Sequence, residues 1–208
     1  MKRGAGRQTG DARREQIVHA ALKIIAMRGV SGLTTAVLAR EAGISEANLY
    51  RHFRNKSEIY MATVGEIRER ITRNLDQVLA GSSDPVTVLK RFFALQVELM
   101  EKNNGIPRLM FSEELHVHKN MRDSILRTMY SVSETLASMV RDGQKKGTIR
   151  RDIDAMNTVL MLVALMQGLA FRWSLGGFTF SLKKEAVTTW KNFEKLIIAE
   201  PTSSGRIA

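Results

Sequence analysis

Apolar residues recur along this chain at helical spacing, and cap residues, glycines and prolines break the pattern into segments. Asp11 is placed to cap a first helix carrying Ile17, Ala21 and Ile24, with Val18, Leu22 and Ile25 beside them, and Gly29 ends it. Thr34 or Thr35 caps a short second helix through Val37, Leu38 and Ala42, closed by Gly43. Ser45 caps a third, to about Phe53. Asn55 and Glu58 have capping-box spacing and open a fourth helix that runs to about Leu79.

The segment Ala80-Gly-Ser-Ser-Asp-Pro85 interrupts the pattern. Asp84 as cap and Pro85 in the first turn then predict a fifth helix to about Lys102. Past the Asn103–Pro107 turn, one shorter helix is expected through Leu109, Met110, Phe111 and Leu115. A longer helix from about Asn120 to Lys146 ends at Gly147. Asp152 or Asp154 caps an apolar helix to about Leu175, and Ser181 precedes a last helix over 182–199. The tail Pro201–Ala208 reads as loose. Phe178-Thr-Phe-Ser is too short and partnerless for a sheet. The expected fold is all-α, with about nine helices: a three-helix N-terminal domain and a larger helical C-terminal one.

Composition narrows the function. The chain has 208 residues and no cysteine, which excludes disulfides, thiolate zinc sites, iron–sulfur clusters and cysteine nucleophiles. The net charge of +11 suggests nucleic acid, an acidic membrane or a solvated surface. Its distribution favours the first, because residues 1–56 carry 11 Lys/Arg against four Asp/Glu, a net +7. The basic, glycine-rich start does not read as a signal peptide. The uncharged run Ala155–Phe171 is short for a membrane span and contains Asn157, Thr158 and Gln167, so it reads as a helix buried in protein between layers.

Residues 33–53 place two short helices on either side of Ala42-Gly43-Ile44, the layout of a helix-turn-helix. Leu49 and Phe53 share a face with Ile44, which directs Ala47, Asn48, Arg51 and His52 outward. Ala47 lets the backbone approach closely, and Asn48 and Arg51 carry donors suited to base edges. Tyr50, His52 and Lys56 supply donors for phosphates, and Thr34, Thr35 and Ser45 add hydroxyls at helix starts. Lys2, Arg3, Arg7, Arg13 and Arg14 form a basic arm that adds phosphate or minor-groove contacts or stays solvated.

The pattern is longer than a generic helix-turn-helix. Gly29-Val-Ser-Gly-Leu-Thr-Thr, Leu38-Ala-Arg-Glu-Ala-Gly-Ile-Ser-Glu-Ala-Asn-Leu-Tyr-Arg-His-Phe and Asn55-Lys-Ser closely resemble the DNA-binding domain of TetR-type transcriptional regulators. The resemblance runs from about Arg14 to Tyr60. It implies a cytoplasmic, homodimeric repressor that reads a two-fold-related site on double-stranded DNA. A small-molecule effector in the C-terminal domain would loosen that hold. The family's recognition helix falls on Ser45–Phe53, its phosphate-contact positions on Thr35, Tyr50, His52 and Lys56, and its base-reading positions on Ala47, Asn48 and Arg51. The implied division is an arm over 1–12, a DNA-binding domain over 13–56, an effector-binding and dimerisation domain over 57–200, and a tail over 201–208. An activator, or a DNA-binding protein of this fold governed by a protein partner or acting at chromosomal sites, fits the same residues.

The C-terminal part gives coarser expectations. Methionines at 100, 110, 121, 129, 156, 161 and 166 read as core or as the lining of an adaptable apolar pocket. Candidate lining residues are Phe92, Met100, Met110, Phe111, Met166 and Trp173, with Glu113 or His116 as a polar anchor. His116 and His118 diverge by about 200° on a helix, poor geometry for sharing a metal. Met161, Ala164, Gly168 and Arg172 share a stripe that would admit another helix closely, and with Trp190 they are the expected dimer contacts. No metal, cofactor, membrane association or catalytic set is expected, since no nucleophile–base arrangement or phosphate loop is present.

Overall fold

The computed structural model describes residues 4–199, which form ten helices and no strand. These are α1 (Gly4–Arg28), α2 (Thr35–Glu41), α3 (Glu46–His52), α4 (Lys56–Gly81), α5 (Pro85–Lys102), α6 (Gly105–Met110), α7 (Glu113–Val117), α8 (Lys119–Lys146), α9 (Ala155–Leu175) and α10 (Leu182–Ile197). Lys2, Arg3 and the Pro201–Ala208 tail lie outside the described residues, as does the side chain of Arg7.

The helices start where side chains satisfy their first amides. Thr34, Ser45, Asn55, Asp84, Asp154 and Ser181 each accept a hydrogen bond from the amide three residues on. Gly43 has φ +66°, and around it Gly43 N–H donates to Arg40 O and Ile44 N–H to Ala39 O. This paired closure needs a left-handed residue, which glycine adopts without a Cβ clash.

Three expectations are corrected. Helix α1 begins at Gly4, so Asp11 lies inside it rather than at its cap. The single short helix expected after Pro107 is two, α6 and α7. Ser112 takes extended backbone (ψ 155°), and its hydroxyl donates to Leu109 O at 2.7 Å, which breaks the run. Helix α9 is covered on one face only: Leu162, Met166, Leu169 and Trp173 are buried, whereas Leu160, Met161, Leu165, Phe171 and Leu175 are exposed. By length and composition alone α9 could cross a membrane, but its inner face packs on α5, α8 and α10.

Two apolar cores result. One gathers α5, α8, α9, α10 and the distal half of α4 around Phe92, Phe93, Leu136, Trp173 and Trp190. The other belongs to the head, and α1–α3 do not complete it alone. Ile106 and Leu109 of α6, Leu115 of α7 and Met121 and Ile125 of α8 pack into the same cluster as Ile17, Leu38, Leu49 and Phe53. The contact is tightest at Gly105, where an added Cβ would collide with the Leu22 carbonyl of α1.

Candidate nucleic-acid interface and apolar cavity

Helix α3 is anchored by Leu49 and Phe53, which are almost fully buried. This turns the expected contact residues outward. Ala47 and Arg51 are exposed, Tyr50 is 52% exposed, and Asn48 and His52 are half-buried. Among the described residues Arg51 has no ion-pair or hydrogen-bond partner, so its five donors are unused. Thr34 and Ser45 accept from Val37 N–H at 3.2 Å and Asn48 N–H at 3.1 Å. Each cap keeps its own hydroxyl proton to donate. Thr35 sits half-buried in the first turn of α2. Exposed Lys56 holds its ammonium 5.3 Å from the centroid of the Tyr60 ring.

Arg14 departs from its place in the basic arm. Its guanidinium stacks 4.2 Å from the centroid of the Phe53 ring, donates to the His52 carbonyl, and lies 3.4 Å from Glu58 Oε1. A cation at the last carbonyls of a helix satisfies orphan acceptors and complements the dipole. Glu58 is fixed at this junction by the Arg54 amide, which donates to Oε2 at 2.7 Å. That hydrogen bond, with help from Arg14 and against partial burial, holds the Glu58 carboxyl below the usual carboxylate range. Arg14 therefore braces the recognition helix from behind. Only the tertiary fold brings residues 14, 52 and 58 together, so spacing gave no signal.

The second feature is an apolar cavity of about 180 Å3 among α4, α5, α6, α8 and α9. Phe92, Met100, Met110, Phe111 and Met166 of the expected set line it, joined by Met129. Trp173 does not. It is buried against Phe178 at 4.7 Å between ring centroids, with its indole N–H donating to Phe180 O. Glu113 and His116 do not either, because α7 turns them to solvent. No group of three metal-ligating side chains occurs among the described residues.

Residues missed in the sequence supply the cavity's polar chemistry. Gln96 is 6% exposed and lines the cavity, and its Nε2 has no hydrogen-bond partner. Its signal was a lone amide in the apolar stripe Phe92–Gln96–Met100. Thr128 also lines the cavity and receives a hydrogen bond from Arg68 Nε at 2.7 Å, while Arg68 Nη1 donates to Ser124 at 2.8 Å. The pair ties α4 to α8.

Of the expected dimer contacts, Met161, Ala164, Gly168 and Arg172 lie on the exposed face of α9, with Arg172 paired to Glu185. Trp190 is corrected. It is buried inside the protomer, 5.9 Å from Phe93 and 5.6 Å from Phe193 between ring centroids, and cannot reach a second chain.

Residues 17–63 match the family model described as bacterial regulatory proteins, tetR family, and residues 85–180 match a tetracyclin repressor-like C-terminal domain. A nucleoid occlusion factor, SlmA of Edwardsiella ictaluri, is 26% identical over 183 residues, covering 86% of this chain and 91% of its own. A TetR transcription regulator from Haloarcula marismortui superposes with TM-score 0.78 at 19% identity, over 90% of this chain and 99% of its own. The regulator FadR from Bacillus subtilis, solved in complex with stearoyl-CoA, gives 0.71 at 17% identity, over 88% and 98%.

Proposed function

This chain belongs to the tetR family of bacterial regulatory proteins, and we propose that it is a homodimeric, cytoplasmic transcriptional repressor released from DNA by a small, mainly apolar molecule. Each protomer lays α3 in the major groove. Arg51, Asn48 and Ala47 face the bases, and Tyr50, His52, Lys56, Thr34, Thr35 and Ser45 hold phosphates. The second protomer docks on the exposed faces of α9 and α10, where Met161, Leu165, Val187 and Leu196 are apolar and exposed in the single chain. Two heads then read two half-sites related by the dimer axis.

One observation carries the ligand part of this reading: the helices that wall the cavity also hold the head. Ile67 and Ile71 of α4 and Ile106, Pro107 and Met110 of α6 line the cavity. The same α4 follows directly from α3, and the same α6 seats Gly105 on α1. A ligand that prefers one spacing of α4 and α6 lowers DNA affinity by its differential affinity for the two forms. The stearoyl-CoA complex of FadR is an instance of this fold holding an acyl ligand.

The likeness to SlmA supports a second reading, a DNA-binding protein of this fold that acts at chromosomal sites without a small effector. The open cavity favours the first. Footprinting on genomic fragments, with light scattering, tests both. We expect a protected site with two-fold symmetry, a mass of twice 23.4 kDa, and increased transcription of adjacent genes when the protein is removed. A monomer, or shifts without any protected site, overturns the proposal. Decreased transcription reverses the sign to an activator.

A further inference from the structure

The ligand reading above can be taken to a chemical class, because the cavity's polar lining is so sparse. None of its lining residues is Asp, Glu, Lys, Arg or His. An ion entering it would lose its hydration without gaining a counter-charge. Arg68, whose guanidinium reaches the lining residue Thr128, is held there by the Ser124 and Thr128 hydroxyls.

The four neutral polar lining residues differ in what they leave free. Thr128 Oγ1 accepts from Arg68 and donates to Ser124 O at 3.3 Å, so it has no proton left for a ligand. Ser133 is buried and makes no side-chain hydrogen bond in the structure, although its hydroxyl can turn to the carbonyl one turn back in its own helix. Gln167 is exposed at the solvent edge. Gln96 differs in that its amide nitrogen is packed into the wall with no acceptor, and a half-turn of the carboxamide exchanges it with Oε1. Buried amides are almost always paired, so an orphan of this kind calls for an acceptor.

We propose that the cavity selects an uncharged, largely apolar molecule whose single carbonyl oxygen accepts a hydrogen bond from Gln96 Nε2. The methionines at 100, 110, 129 and 166 adapt to its hydrocarbon part. An apolar cavity of about 150 Å3 takes up benzene, so about 180 Å3 suits a ligand, or the inner part of one, of about eight to ten non-hydrogen atoms. Free carboxylates and quaternary ammonium compounds are excluded on charge.

Acetophenone, cumene and benzoate share a nine-heavy-atom skeleton and differ in carbonyl, methyl and carboxylate. Calorimetric titration of each into the full-length protein and into Gln96→Met tests the inference. Met keeps the side chain's length and removes the donor, so the fold should persist. We expect acetophenone and cumene to bind the native protein, with benzoate at least about tenfold weaker than acetophenone. On Gln96→Met the affinity ratio of acetophenone to cumene should fall about tenfold, the size of one buried hydrogen bond. A ratio changed by less than about twofold overturns the role of Gln96 and leaves the ligand reading standing. Benzoate binding as tightly as acetophenone overturns the claim of neutrality. If none of the three binds, the ligand-controlled reading itself falls.

Discussion

Arg68 of α4 donates from Nε to the hydroxyl of Thr128 on α8 at 2.7 Å, and Thr128 belongs to the cavity wall. A charge on the helix that leaves the DNA-binding head is therefore held by a residue a ligand would touch. Replacing Thr128 by Val removes the acceptor and keeps the shape. We expect Thr128→Val to lower unfolding stability by about 1–3 kcal/mol. Arg68→Met combined with it should cost less than the two single changes together, by about 1 kcal/mol. Urea unfolding of the four proteins measures this, and strictly additive losses would show that the pair is not coupled.

Arg51 and Lys56 should separate base reading from phosphate holding. Arg51 is exposed and without a partner among the described residues. Arg51→Ala should cost about 1–3 kcal/mol on the preferred site and little on others, relaxing specificity. Lys56→Ala should weaken all sequences alike and reduce the slope of log K against log salt by about 1. Even loss across sequences for Arg51→Ala would remove it from the bases.

Arg14 gives the complementary test. It is basic and near the interface, yet the His52 carbonyl and the Phe53 ring occupy it. Arg14→Met should lower thermal stability by about 1–2 kcal/mol and weaken DNA binding evenly, with the salt slope unchanged. A slope reduced by about 1 would mean that Arg14 leaves its brace for a phosphate.

Tyr60 predicts an alkaline limit. Burial, then the nearby Glu114 charge, pushes its pKa up to about 12, and its hydroxyl donates to Val30 O at 3.2 Å. In the unfolded chain the group titrates near about 10. The folded state thus keeps a proton the unfolded state has released. The stabilisation is complete below pH of about 10 and is lost as pH climbs through about 12. Urea midpoints from pH 9 to 12 should fall more steeply for the native protein than for Tyr60→Phe. Parallel curves would mean that Tyr60 titrates normally in the fold.

These residues also show what a sequence makes legible. Helix starts are local events, so Thr34, Ser45, Asn55, Asp84 and Ser181 announce theirs within four residues. The outward turn of Arg51 follows from the buried pair Leu49 and Phe53 on the same short helix. Contacts across the fold leave no such mark. Trp173 and Trp190 have the composition of pocket or interface residues, but Phe178 of the turn after α9 closes on the first, and Phe93 of α5 with Phe193 of its own helix on the second. Glu113 and His116 stand beside cavity residues in sequence, yet the break at Ser112 rotates them to solvent. Gln96 is visible as an amide in an apolar stripe, but its lack of a partner is a property of five packed helices.

The close seat of Gly105 on the Leu22 carbonyl makes α1 a lever. Backbone against backbone has no rotamer to absorb a push, so a shift of α6 passes directly to α1. Arg14 lies eight residues toward the other end of α1, about 12 Å of helix away. Over that arm a tilt of about 5° moves the Arg14 brace, and the end of α3 that it grips, by about 1 Å. The recognition helix can thus be re-aimed through a contact that contains no side chain at one of its ends.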